Sequence, residues 1–273
     1  MFYSLDDLKN VEKNIPQLKN VYIDVGAAAG MFHGATWLLQ DDNAFVIGIE
    51  PNTEALTILE KGRRTPARFP HLKLDDCSIW DKNKEVKRYN SEQVCVIQCA
   101  IDDVAHRTKA NFFCTDKRNI GCSSLLKPTP SLGLDVTDIN MVDVCSLEDI
   151  LDSLNMQDLT EIAFVKTDTQ GKDFDVVTSL GKYLHRVLAL KCEHNVKDFY
   201  ENSNSKEEFL MFMKQNNFIP VYDTGYDIIF INGRNYRFVT AEKFSDAAVE
   251  LLFEAHSPRQ LDQLLSILRN LPL

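Results

Sequence analysis

The sequence predicts an α/β fold built on a mostly parallel sheet with helices on both faces and an antiparallel edge. Three observations carry the prediction. Apolar runs rich in β-branched and aromatic residues alternate with stretches of helical spacing, as βαβ units require. The stretch VYIDVGAAAGMFHGATWLL (Val21 to Leu39) runs from a strand pattern through small residues straight into a helix. Two late runs, Phe218 to Tyr222 and Asp227 to Asn232, flank a turn around Gly225 and read as a closing hairpin.

The elements follow in order. Residues 1–20 are expected as a helical lead-in. Val21, Tyr22, Ile23 and Val25 suit a buried strand, and Gly26 to Gly30 offers main chain with almost no side chain in the way. The following helix carries Phe32, Trp37, Leu38 and Leu39, with its free amides directed at whatever the loop holds. Ala44 to Asn52 is a second strand ending in Glu50, with Pro51 where a helix can begin. Val94 to Asp103 reads as a third, ending in Asp102 and Asp103, and Asn111 to Thr115 as a short extra strand. Met141 to Leu154 reads as a strand passing into a helix capped by Ser146. Glu161 to Gly171 is a strand with Lys166 and Asp168 on one face, and Arg186 to Asn195 another, ending in Glu193, His194 and Asn195. Ser205 to Asn216 is helical.

The glycine turn separates two cofactor classes. A dinucleotide fingerprint wants glycine at the first, third and sixth loop positions, which here hold Gly26, Ala28 and Met31, so only the first fits. An acid two places before the first glycine, Asp24, and a second glycine at Gly30 suit S-adenosylmethionine, whose cationic amino end favours a carboxylate. Glu50, about 20 residues past the turn, is placed to accept from both ribose hydroxyls. Asp102 is placed to meet the adenine amino group. An ordinary βα turn and solvated surface acids are the bland alternatives for the same residues.

Composition narrows the classes. The chain has 273 residues, 44% of them hydrophobic, enough for a large core in one main domain. A formal charge of −10 argues against nonspecific nucleic-acid binding. Seven cysteines with no CxxC pair point to reduced thiols rather than a disulfide framework or zinc. No basic-then-apolar start and no apolar run near the roughly 18 residues of a spanning helix are present, so a soluble, cytoplasmic protein is expected.

In order and in residues, the chain resembles the FkbM family of S-adenosylmethionine-dependent methyltransferases. The blocks are DVGAAAG (Asp24 to Gly30), IEPN (Ile49 to Asn52), QCAIDD (Gln98 to Asp103), GCSSLL (Gly121 to Leu126), CSLEDIL (Cys145 to Leu151), FVKTDTQGKDFDVV (Phe164 to Val177) and LKCEHN (Leu190 to Asn195). They cover roughly residues 20 to 232. The resemblance implies a class I methyltransferase fold, Rossmann-like, with a seven-stranded sheet. It also implies O-methylation of a hydroxyl on a sugar, glycolipid or other small molecule. The family often has asparagine where Ala28 stands and glutamate where Asp173 stands. A further departure is the segment 63–92, which reads as an insertion; Lys61 to Arg88 holds nine basic and four acidic residues. Such a flap could attract an anion, with Trp80 and Tyr89 stacking on a sugar, or be a solvated loop.

Reacting groups of open α/β sheets gather beyond the carboxyl ends of strands, which nominates Asp168, Glu193 and His194 as catalytic. His194 is the preferred general base, with Glu193 orienting it or the acceptor. Lys166 is expected to pair with Asp168 at the substrate side, and Ser123 and Ser124 to cover the acceptor from their loop. No metal is assigned. The tail beyond residue 232 carries Leu261, Leu264, Leu265, Leu268 and Leu271 at helical spacing, for packing on the domain or for a homodimer. A catalytically silent binding module is the alternative function. Nucleic-acid base methylation lacks an Asn-Pro-Pro-Tyr type block where TDTQG stands.

Overall fold

The computed structural model describes residues 2–10, 20–31, 33–34, 37–38, 41, 43–60, 93–116, 118–158, 161–194 and 199–234. The basic segment 63–92, Asn195 and the tail from residue 235, with its proposed dimer contact, lie outside the described residues.

The strands are β1 (Phe2–Tyr3), β2 (Asn20–Val25), β3 (Ala44–Ile49), β4 (Val94–Ile97), β5 (Ala100–Ile101), β6 (Thr108–Thr115), β7 (Val136–Cys145), β8 (Ile162–Thr167), β9 (Val187–Glu193), β10 (Phe218–Asp223) and β11 (Asp227–Asn232). The helices are α1 (Thr53–Glu60), α2 (Leu147–Ser153), α3 (Asp173–Thr178) and α4 (Lys206–Gln215). His33, Gly34, Trp37 and Leu38 are helical as well. Eight strands form the main sheet in the order β1-β4-β3-β2-β8-β9-β11-β10. Neighbours from β1 through β9 are parallel, while β11 runs against β9 and β10. The last seven of these are the class I methyltransferase sheet expected, with β11 as its reversed strand. β1 is an addition.

The central strands are buried on both faces, and by the period of two their side chains divide between two apolar clusters. Phe45, Ile47 and Ile49 of β3 join one apolar cluster with Leu147, Ile150 and Leu151 of α2, Val176 and Val177 of α3, and Phe209 and Met213 of α4. Ala44 and Val46 join the other with Met31, Trp37, and Leu56 and Leu59 of α1. Helices therefore cover both faces. On the second face the helical turns after the glycine loop lie tight on the sheet. A Cβ at Gly34 would come within 2.9 Å of Met31 and Val46 side chains, and one at Gly48 within 2.6 Å of the Met31 sulfur.

Two expectations are corrected. The start of the 1–20 lead-in is not helical throughout: Phe2–Tyr3 is a strand on β4, followed by a short 3-10 turn at Asp7–Asn10. The run Val94 to Asp103 is two strands rather than one. After Ile97 the chain leaves the main sheet, and Ala100–Ile101 pairs with β7 in a second sheet ordered β5-β7-β6. Asn111 to Thr115 belongs to β6 of that sheet, whose partner β7 lies antiparallel to it.

The helix caps follow the sequence. Ser146 accepts from the Asp149 amide at the start of α2, and Ser205 with Glu208 forms a capping box at α4. Pro51 precedes α1, while Asn52 caps it by accepting from the Glu54 and Ala55 amides. Among the described residues no helix is long and apolar enough to cross a membrane.

Candidate active site

In an open α/β sheet a crevice opens where strand order reverses, beyond the carboxyl ends of the strands. Here that point lies between β2 and β8, and the residues following β2, β3, β8 and β9 surround it.

The turn after β2 is shaped by backbone conformation. Gly26 has φ +74°, and a Cβ there would stand 1.9 Å from the Asp168 carbonyl oxygen, so only glycine fits. Ala28 and Met31 also adopt positive φ, 49° and 43°. Asparagine tolerates that region better than alanine, a physical reason for the residue the family often places there. Gly30 is buried.

Glu50, just past β3, is buried and bonded to main chain on both oxygens. The Ala28 amide donates to Oε2 and the Asn52 amide to Oε1, each at 2.8 Å. Burial pushes its carboxyl up to about 7, against those two amides and Lys166, which pull it down. A carboxylate has about four acceptor positions, so two stay open for a ligand's hydroxyls.

Asp24 is only 1% exposed. Its Oδ2 accepts from the Gly34 amide at 3.2 Å, and Oδ1 lies 3.3 Å from the Lys166 ammonium. It therefore turns inward, as counter-ion to Lys166 beneath the loop, rather than toward a ligand's amino group. Lys166 in turn donates to the Gly26 carbonyl at 3.0 Å and stands 3.7 Å from Asp168. Burial works against its charge, but Asp24 and Asp168 outweigh that and hold the ammonium above its ordinary range. Lys166 is thus a buried brace beneath the loop; the expected pairing with Asp168 is present, a free hand for substrate is not.

Ser123 and Ser124 are likewise turned into the protein. The Ser123 hydroxyl accepts from the Thr115 amide, and Ser124 donates to the Gln170 carbonyl at 2.8 Å while accepting from the Leu126 amide. Asp102 bonds Lys172 at 2.7 Å at the end of the second sheet, which explains why it does not continue the row of acids on the main sheet.

The acids beyond β8 and β9 do meet. The Gln170 side-chain amide donates to Asp168 at 2.6 Å and to Glu193 at 2.7 Å, and its carbonyl accepts from the Tyr200 hydroxyl at 2.8 Å. Burial pushes Asp168 up, but Lys166 and the hydrogen bonds from Gln170 and Glu193 bring it below the usual carboxylate range. Glu193 goes the other way: burial, then repulsion by Asp168 and Asp173, hold it well above. Asp173, behind them, is pushed up to about 7 by burial and Asp168. The Asp168 side chain is 42% exposed, an acid presented to solvent beside the glycine turn.

His194 sits differently. Its side chain is 2% exposed, with Nε2 3.4 Å from Asp223, and it lines a small cleft against Lys206 and Phe209 of α4. Gln170 and Tyr200 are the members that sequence reading missed. A polar residue in a turn and a tyrosine 30 positions on carry no local signal of meeting.

No family model matches the chain, and no curated protein matches it. Among solved structures it is similar to the crystal structure of methyltransferase FkbM from Methylobacillus flagellatus, at 13% identity and a TM-score of 0.41. That match covers 78% of this chain and 43% of the other, so this chain spans less than half of that protein's length.

Proposed function

We propose that this chain is an S-adenosylmethionine-dependent methyltransferase acting on a hydroxyl of a sugar, glycolipid or other small molecule. One observation carries the reading: Glu50 stands at the end of the strand next to β2, fixed by two main-chain amides, with acceptor capacity left over beside the Gly26 to Gly30 turn. Two amides offset the cost of burying this acid only in part, since burial still pushes its carboxyl up to about 7, and further donors would favour its ionised form. Vicinal ribose hydroxyls would take its free positions, and the loop's small residues would let an adenosyl group approach the main chain.

When bound, the donor supplies an electrophilic methyl carbon on a cationic sulfur. The chain's own part is to hold the acceptor oxygen in line and to receive its proton. Asp168, ionised and exposed, takes that proton; neutral Glu193 steadies it by a hydrogen bond. His194 is too enclosed to reach an acceptor without movement, so Asp168 replaces it as base. Six described cysteines are free thiols, which supports a cytoplasmic setting.

The test is calorimetry with S-adenosylmethionine and S-adenosylhomocysteine. Saturable heat with either, reduced in Glu50→Ala, supports the reading; no heat with both refutes it. Binding without methylation of any lipid, glycan or extract fraction would favour the silent module instead.

A further inference from the structure

We propose that Gln170 is a positioning residue whose side-chain amide locks Asp168 and Glu193 into a single carboxyl pair sharing one proton at the acceptor side of the crevice. The inference rests on the methyl-transfer reading for its purpose, but its geometry stands apart from it. Both amide hydrogens of Gln170 are committed, one to each acid, and the two acids come from different strands. The far end is fixed as well: the Tyr200 hydroxyl meets the Gln170 carbonyl.

The backbone is bent to achieve this. Gln170 has φ +58°, a left-handed conformation that is strained for a residue with a Cβ. The next residue, Gly171, has φ +98°, and a Cβ there would press on Leu126 and Tyr200 at 3.2 Å. Strain kept at a bend that aims one side chain between two acids is the kind that accompanies function. A shorter asparagine would not span both acids, and a glutamate would add a third negative charge.

The surroundings divide the pair's charge unequally. Lys166 of β8 and His33, in the helical turns past the glycine loop, favour an ionised Asp168. Asp173 of α3 and Asp227 of β11 disfavour a second negative charge on Glu193. Tyr200 stays protonated, held above its ordinary range by burial, and burial pushes the nearby Cys122 thiol up to about 11. The clamp keeps the acids close enough for one proton to serve both, which leaves one base ready at neutral pH.

Carboxyl-carbon magnetic resonance of the full chain, with Asp and Glu side chains labelled and Glu193→Gln used for assignment, reads the pair directly. The wild type should lose the pair's two protons in widely separated steps. In Gln170→Ala each acid loses a donor, and with the clamp gone the two carboxyls are free to separate, which weakens the repulsion and hydrogen bonding that hold their steps apart. The two steps should therefore converge, their proton-affinity ratio falling by about tenfold or more. Tyr200→Phe, which frees the Gln170 carbonyl, should give a smaller convergence. Unchanged spacing in a cooperatively melting Gln170→Ala overturns the proposal; should that variant not fold, unchanged spacing in Tyr200→Phe does so. Calorimetry of wild type with S-adenosylmethionine runs separately, and its failure would remove methyl transfer while leaving the titration result to stand.

Discussion

Near the ends of β2 and β3 each acidic side chain accepts from main-chain amides, Asp24 with the Lys166 ammonium beside it as well, whereas Asp168 and Glu193 beyond β8 and β9 are held by other side chains. Glu50 and Asp24 accept from the amides of Ala28, Asn52 and Gly34. Asp168 and Glu193 hang together through Gln170. The first half of the site is thus as rigid as the backbone that makes it. The second is adjustable one residue at a time, which, on the methyl-transfer reading proposed above, suits a surface that must match an acceptor rather than a constant donor.

The comparison can be broken most severely at its adjustable side. Once an acceptor is in hand, Asp168→Asn should lower turnover by about 100-fold or more, the usual range for a lost proton acceptor. His194→Ala, folded, should retain it; the reverse ranking in a turnover assay would return the base to His194. On the rigid side, Gly26→Ala drives a methyl group into the Asp168 carbonyl at a positive φ. A loss of about 3 kcal/mol or more in denaturant unfolding is expected. Glu50→Ala should weaken donor binding at least tenfold, about 1.4 kcal/mol, by calorimetry.

A pH series sharpens the contrast further. Glu50 and Asp173 sit at about 7 in the fold, above the ordinary carboxyl value, so the folded chain holds their protons more tightly than the unfolded chain. Their contribution to stability is present in full below about pH 4 and is lost as pH rises to about 7. Melting temperature should carry that falling component, while donor affinity, which needs an ionised Glu50, should rise over the same range. The smallest effect belongs to Ala28→Asn, which relieves a left-handed alanine and should raise stability by about 0.5–1 kcal/mol in the same unfolding assay.

What could be read without coordinates follows the same division. Local signals named the glycine turn, Glu50, the Ser146 cap, the helix from Ser205 and most strands of the main sheet, because pattern and cap chemistry are short-range. VCVIQCAI reads as one strand because its apolar run is nearly unbroken; only long-range pairing with β7 reveals that it changes sheets. Ser123 and Ser124 read as acceptor-covering hydroxyls because they stand in a loop with Gly121, Pro128 and Pro130, yet a bridge between Phe113 and Ser124 ties that loop to β6. Gln170 was silent because glutamine has no preference for positive φ, and its three partners lie on separate segments.

The two residues of β1 have a consequence for solubility. They pair with Val96 and Ile97, and the Gln98 amide donates to the Tyr3 carbonyl. Without them β4, apolar along its whole length, would present a bare rim of donors and acceptors to any passing strand. A dipeptide's worth of backbone thus shields the Val96–Ile97 half of this border against sticking to its own kind.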